Sequence, residues 1–183
     1  RTSRRQRQMC IRDRIYVDLS RIGDLAPAGI YDLNKAIVNS SNNYFHMLFR
    51  KLINQKRDNN TFIDSRIGLD RWSEYVKKFG LGSDLDFDIS NISSGFVPSS
   101  EYYDGFYGKG RWKFSNIYSL SIGQGELLVT PIQMANFASI IANRGYYYNP
   151  NIVTHINGKK TSNNQRKYLD IDKTHFDYVV DAM

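Results

Sequence analysis

The chain has 183 residues, of which 41% are hydrophobic and 14% aromatic, and this composition is typical of one globular domain with a core. Its net charge of +7 is unevenly spread: residues 1–14 hold six arginines and one aspartate, a local +5, so the other 169 residues carry only +2. That near-neutral body argues against a general nucleic-acid binder, and no apolar run reaches the roughly 18 residues of a membrane-spanning helix.

The first 14 residues differ from the rest of the chain. They show no apolar periodicity, and their Gln-Met-Cys-Ile-Arg-Asp-Arg string resembles translated sequencing-adapter sequence. We therefore expect residues 1–14 to be a non-native basic extension that includes the only cysteine, Cys10, and residues 15–183 to form the domain. The alternative is a basic arm that binds nucleic-acid phosphates with a strong salt dependence.

Helical patterns dominate the first half of the domain. A turn-rich segment, 23–29, precedes a predicted helix at 33–38, and a second predicted helix runs through Tyr44 to Leu52. Residues 53–65 are polar and predict a loop. The apolar residues that follow recur with helical spacing and predict an amphipathic helix that Gly80 ends; they are Leu69, Trp72, Tyr75, Val76 and Phe79.

Residues 81–118 show no sustained period, which predicts an irregular connection of the kind that is usually functional or mobile. The next helix has clear boundaries. Thr130 suits the N-cap, Pro131 the first helical position, and Gln133 can complete a capping box. Apolar residues crowd positions 132–141, which predicts a mostly buried helix that Gly145 ends.

The last 40 residues predict short extended pieces and a final helix. Tyr146 to Tyr148 and Ile152 to Ile156 have extended character, and Asn157-Gly158 is a strong turn signal. Helical spacing begins at Phe176 and stops at Met183 without a cap or glycine. We expect both ends to be cuts within a longer domain.

Three sequence blocks occur in an order that points to a known family. They are Ala36-Ile37-Val38-Asn39-Ser40-Ser41-Asn42-Asn43-Tyr44-Phe45, Tyr75-Val76-Lys77-Lys78-Phe79-Gly80-Leu81-Gly82, and residues 119–145 with Ser-Ile-Gly-Gln-Gly-Glu and Ala-Asn-Arg-Gly. Together they resemble the transpeptidase domain of class B penicillin-binding proteins, most closely the elongation type called penicillin-binding protein 2. The similarity runs from about Leu33 to Met183.

The resemblance implies an α+β fold: the mostly helical part of the penicillin-binding transpeptidase (serine β-lactamase-like) fold, with most of the central antiparallel sheet missing. It also implies a peptidoglycan D,D-transpeptidase that is bound to the bacterial inner membrane, faces the periplasm and uses no cofactor. The implied partners are D-Ala-D-Ala peptide stems, β-lactams and cell-elongation membrane proteins, with no nucleic acid.

The family uses Ser-x-x-Lys, Ser-x-Asn and Lys-Thr-Gly motifs, and only the second occurs here, as Ser40-Ser41-Asn42. The resemblance implies that Ser40 is the proton-relay hydroxyl and that Asn42 holds the network and hydrogen-bonds the peptide. The chemistry suits these types, because a hydroxyl both donates and accepts and a carboxamide offers both bond types without charge. Ser41 is the variable middle position. Without Ser-x-x-Lys the isolated chain should be inactive.

Other interpretations stay open. Ser40 or Asn42 could simply cap the following helix, and the domain could be a β-lactam sensor or a peptidoglycan-binding domain that does not cross-link. Lys160-Thr161-Ser162 and Lys173-Thr174-His175 lack the glycine of Lys-Thr-Gly. The three histidines lack ligand spacing, and the Gly123-Gln124-Gly125 loop lacks the lysine of a phosphate loop.

Overall fold

The computed structural model describes residues 14–17, 24, 26–86, 88, 91–161 and 165–183. Residues 1–13, which make up most of the predicted extension, lie outside the described residues, as do residues 23 and 25 of the predicted turn segment 23–29. The chain divides into two compact units, one of residues 1–70, 100–125 and 181–183 and one of residues 71–99 and 126–180.

The first unit begins with a short antiparallel hairpin. Strands β1 (Ile15–Val17) and β2 (Gly29–Tyr31) pair with Tyr16 opposite Ile30. Helices α1 (Leu33–Val38) and α2 (Asn42–Ile53) follow at the predicted positions. Inward-facing side chains of these elements form one apolar core; it consists of Ile15, Val17, Ala26, Tyr31, Ala36 and Tyr44.

Helix α3 (Thr61–Lys78) is longer than predicted, because the loop expected at 53–65 ends at residue 60. Two side chains start the helix early. The Asn60 carboxamide oxygen accepts the N–H groups of Phe62 and Ile63, at 2.9 and 3.4 Å. Asp64 accepts the N–H groups of the preceding loop. Polar caps, rather than apolar spacing, therefore set this boundary.

The prediction of an irregular connection over 81–118 is wrong in its second half. Helices α4 (Ser100–Tyr107) and α5 (Phe114–Ile117) lie there, followed by a 3₁₀ helix at Tyr118–Ile122. Asp70 on α3 accepts both the N–H and the hydroxyl of Ser100, each at 2.7 Å. A cap supplied by a residue distant in sequence, at the start of a two-turn helix, leaves no local periodicity to detect.

In the second unit, helix α6 (Pro131–Ala142) starts with the predicted capping box. Gln133 N–H donates to the Thr130 hydroxyl and Thr130 N–H to the Gln133 side chain. The prediction that α6 is mostly buried is wrong. Its buried residues are Gln133, Asn136 and Ile140, whereas Met134 is 47% exposed. Two of these three buried residues are polar, and one of them, Gln133, donates to the loop carbonyls of Ser83 and Ser94.

The remaining strands are two residues long. Strand β3 (Tyr146–Tyr147) pairs with β6 (Lys167–Tyr168), and β4 (His155–Ile156) pairs with β5 (Lys159–Lys160). The predicted Asn157-Gly158 turn joins β4 to β5, both of its residues having positive φ. Helix α7 (Lys173–Ala182) begins three residues before the predicted Phe176. Helices thus dominate the described residues, and no helix among them is both long and apolar enough to cross a membrane.

Candidate active site

The Ser-Ser-Asn motif lies where α1 meets α2. Only residues 39–41 separate the two helices. Ser41 N–H donates to Ala36 O and Ser40 N–H to Ile37 O, both at 3.0 Å. These two bonds form a Schellman motif that ends α1, with Ser40 at the left-handed position, φ +51°. Glycine usually fills that position, so a serine there retains backbone strain and suggests a functional requirement.

Ser41 begins the next helix. Its hydroxyl accepts the Tyr44 N–H at 3.3 Å, and the side chain is fully buried. The alternative that Ser40 or Asn42 caps α2 is therefore wrong, since the middle serine is the N-cap. Ser40 is exposed and Asn42 is half-buried at the first position of the helix. The turn thus brings Ser40 and Asn42 together on either side of a buried cap.

Asp24 holds this turn from a segment 17 residues earlier. Its carboxylate accepts the Ser41 hydroxyl and the Asn43 N–H, both at 2.9 Å, and the Ala26 N–H at 3.0 Å. Burial by itself would raise the pKa of Asp24, but the hydrogen bonds from Asn43, Ala26 and Ser41 outweigh burial and lower this pKa below its usual value. Sequence analysis missed Asp24, because nothing in its local pattern links it to position 41.

His46 fixes the same helix one turn further on. Its Nδ1 lies 2.5 Å from the Ser121 hydroxyl oxygen and 3.2 Å from Tyr118 O. Because Ser121 O–H donates to Tyr118 O at 2.6 Å, the arrangement favours a proton on Nδ1. Its Nε2 is buried without a partner among the described residues. Burial lowers the pKa of His46, although the Tyr118 carbonyl and the Asp24 charge act in the opposite direction.

These contacts define what the turn can do chemically. The Ser40 hydroxyl is accessible and makes no hydrogen bond within the described part of the chain, so it is available to donate to or accept from a substrate. The Asn42 carboxamide stands two positions along the chain. Neither group is charged or a strong nucleophile, so the turn is suited to proton transfer and amide recognition rather than to covalent attack.

The second unit contains a concavity with a volume of about 430 Å³. Three carboxylates border it, those of Asp84, Asp86 and Asp88, and the last two already contact other groups of the chain. Asp86 lies 3.6 Å from the Lys167 ammonium, and Asp88 accepts the N–H groups of Ile152 and Val153, which lower its pKa. Among the described residues, no group of three or more His, Cys, Asp or Glu side chains could hold a metal ion. Nothing here therefore marks a metal centre.

Two solved penicillin-binding proteins share this fold. A Pseudomonas aeruginosa PBP2 in complex with WCK 5153 superimposes with a TM-score of 0.67 at 24% identity, over 92% of this chain and 36% of that one. The Helicobacter pylori PBP2 in complex with MreC gives a TM-score of 0.67 at 21% identity, over 93% of this chain and 28% of that one. The predicted α+β fold, the helical part of the penicillin-binding transpeptidase fold, is confirmed.

Sequence comparison identifies the family. The penicillin binding protein transpeptidase domain matches residues 16–183, and the chain therefore belongs to that family, as predicted. Peptidoglycan D,D-transpeptidase MrdA is 29% identical over 132 residues in Acinetobacter baumannii and 31% identical over 130 residues in Haemophilus influenzae. The matches cover 72% and 71% of this chain but only 17% and 18% of those relatives.

Proposed function

We propose that this chain is a segment of a peptidoglycan D,D-transpeptidase that cross-links peptide stems ending in D-Ala-D-Ala. Family membership supports the reaction class. The observation that carries the site is the left-handed Ser40, exposed beside Asn42 and held by a buried cap. An exposed serine kept at a position that favours glycine indicates that its hydroxyl is used.

In the proposed reaction, a serine outside this chain attacks the penultimate D-alanine carbonyl and terminal D-alanine leaves. An amine of a second stem then attacks the acyl-enzyme, and a β-lactam acylates the same serine. We assign to Ser40 the transfer of a proton to the leaving amine. Asn42 accepts and donates hydrogen bonds to the peptide backbone. The chain has no Ser-x-x-Lys, so by itself it forms no acyl adduct.

The parent protein is proposed to be of the elongation type, anchored in the inner membrane and facing the periplasm. The MrdA relatives support this assignment, and the Helicobacter pylori PBP2 solved with MreC suggests membrane partners of the same kind. Residues 1–14 are proposed to be non-native, with 15–183 as the partial domain. Mass spectrometry of the natural protein would detect a tryptic peptide from residues 1–14 if that proposal is wrong.

Acylation of the complete protein by a fluorescent penicillin tests the proposal. Ser40→Ala and Asn42→Ala should each lower the acylation rate constant by about a hundredfold or more, since positioned proton transfer contributes that much. Ser115→Ala and Asn59→Ala change exposed residues of the same types and should leave the rate unchanged. Equal rates in all five proteins would contradict the assignment of Ser40 and Asn42.

Assays on the complete protein would also distinguish a transpeptidase from a non-catalytic β-lactam sensor. A β-lactam sensor would be acylated in the complete protein but would not join two peptide stems in a transpeptidation assay with a D-Ala-D-Ala donor. Labelling of the isolated 183-residue chain would show that the nucleophile lies within it. Absence of labelling in the complete wild-type protein would rule out both the enzyme and the sensor.

A further inference from the structure

The turn that presents Ser40 and Asn42 is held by side chains that belong to neither residue. Ser40 is fixed only through its backbone: its N–H bonds to Ile37 O, and the next N–H bonds to Ala36 O. Both acceptors lie in α1, so these bonds fix Ser40 relative to α1 only. What fixes the turn relative to α2 is the residue between the two site residues, the buried Ser41.

Ser41 in turn depends on Asp24. Its hydroxyl donates to Asp24 and at the same time accepts the Tyr44 N–H. The same Asp24 oxygen accepts the Asn43 N–H, so one carboxylate fixes both the cap and the first turn of α2. Hydrogen bonds from a buried hydroxyl to a charged carboxylate are stronger and more directional than neutral ones.

From this geometry we propose that Asp24 is a positioning residue, which acts through Ser41 to hold Ser40 and Asn42 in the orientation that the reaction needs. The inference rests on the proposed function, because it concerns the rate of that reaction. The Asp24 carboxylate accepts the Ser41 hydroxyl and the backbone N–H groups of Asn43 and Asn42, so its effect passes through the cap and the first turn of α2. Without the carboxylate, the turn would keep only its two Schellman hydrogen bonds and the bond from the Tyr44 N–H to the Ser41 hydroxyl.

The fold supplies a matched control for this role. Asp32 caps α1 as Ser41 caps α2: its carboxylate accepts the Lys35 N–H at 2.9 Å. Replacing either aspartate by alanine removes a capping carboxylate from the first unit. Only Asp24 is bonded to the turn between the two helices, so a difference between the two variants reports on positioning rather than on helix stability.

The first measurement is amide hydrogen exchange in the complete protein, with residue resolution. Asp24→Ala should speed exchange about tenfold or more at residues 40–44, as expected when local opening becomes easier. Ser41→Ala should act in the same region. Asp32→Ala should speed exchange near Lys35 and leave Asn43 unchanged. Unchanged exchange at Asn43 and Ser41 in Asp24→Ala would overturn the proposal whatever the protein's activity.

The second measurement is acylation by penicillin, resolved into the initial binding constant and the first-order acylation step. Misplacement of a catalytic group by about 1 Å can cost about a hundredfold, so Asp24→Ala should slow the acylation step by at least about tenfold with little change in binding. Asp32→Ala should match the wild type. Equal slowing in both aspartate variants would show a general stability effect and overturn the positioning role.

The two measurements separate the failure of this inference from the failure of the proposed function. If the wild-type protein is not acylated, the transpeptidase assignment fails and hydrogen exchange alone decides whether Asp24 holds the turn. If the wild type is acylated and Asp24→Ala reacts as fast, the function stands and the positioning role is wrong.

Discussion

At the residue scale, Ser40 occupies a backbone conformation that glycine adopts with less strain. A non-glycine residue in the left-handed region costs about 1 to 2 kcal/mol, and here the two hydrogen bonds of a Schellman motif hold the backbone in that conformation. The three neighbouring residues therefore have different roles. Ser40 and Asn42 face outward or partly outward, and Ser41 is buried as the cap.

Ser40→Gly should separate stability from activity. Glycine relieves the left-handed strain at φ +51° but adds freedom to the unfolded chain, so the free energy of unfolding should rise by up to about 1 kcal/mol. Penicillin acylation of the complete protein should fall as in Ser40→Ala. Urea unfolding of wild type, Ser40→Gly and Ser40→Ala measures the first effect. A glycine variant clearly less stable than Ser40→Ala would contradict the strain argument.

His46 should make folding sensitive to mild acid. Burial lowers its pKa in the folded state, against a smaller opposing effect of the Tyr118 carbonyl and Asp24. The unfolded state then binds the proton more readily, so stability is complete above the ordinary histidine pKa of about 6.5 and declines as pH falls below it. Protonation would also add a proton to the buried Nε2, which has no partner in the part of the chain that the structure describes.

Urea midpoints measured at several pH values between about 8 and 5 test this expectation. His46→Gln should remove most of the decline over that range. His155→Gln replaces a histidine on the exposed β4–β5 hairpin and serves as the control that keeps the decline. A wild-type midpoint that stays constant down to pH 5 would show that His46 does not titrate in this way.

At the element scale, α6 shows how a helix can use polar residues as its buried face. The Gln133 amide nitrogen donates to Ser83 O at 2.8 Å and to Ser94 O at 2.7 Å, and its oxygen accepts the Thr130 N–H. One side chain therefore caps the helix and fixes two loop carbonyls. Apolar density along α6 predicted the opposite arrangement, in which the aliphatic side chains are buried.

Replacing Gln133 should therefore cost more than replacing its apolar neighbour. Gln133→Ala removes the donor to two loop carbonyls and the acceptor of the Thr130 N–H, and should lower the free energy of unfolding by about 1 to 3 kcal/mol. Met134→Ala, at a side chain that is 47% exposed, should change it by less than about 0.5 kcal/mol. Urea unfolding of the two variants compares them directly. A larger loss in Met134→Ala would restore the sequence-based expectation of an apolar buried face.

At the scale of the whole molecule, the described residues leave large apolar side chains on the surface. Phe106 is 71% exposed, Tyr168 69% and Ile152 64%. Exposed apolar surface promotes association between molecules. The family model matches residues 16–183, and the matches to the two MrdA relatives cover 17% and 18% of their lengths.

The isolated chain should self-associate. Light scattering after size-exclusion chromatography should show a mass that rises with protein concentration, because exposed apolar side chains make contacts between copies. Phe106→Ser removes a highly exposed ring and should weaken that dependence, whereas Ser115→Ala, on the surface of the same unit, should leave it unchanged. A mass of one chain at every concentration, with a sharp reversible thermal transition, would contradict this prediction.

The sequence by itself determined the features that depend on local chemistry. Thr130, Pro131 and Gln133 predicted the start of α6, Asn157-Gly158 predicted a hairpin turn, and three ordered blocks predicted the family. The first two signals lie within a few residues, where backbone propensity and side-chain capping act, and the third is a matter of sequence order alone. Tertiary structure decided the rest: Asp70 caps α4 from 30 residues away, Asp24 reaches Ser41 from 17 residues away, and Gln133 is buried because its amide pairs with loop carbonyls. Such partners meet only when the chain folds, so no local pattern could indicate them.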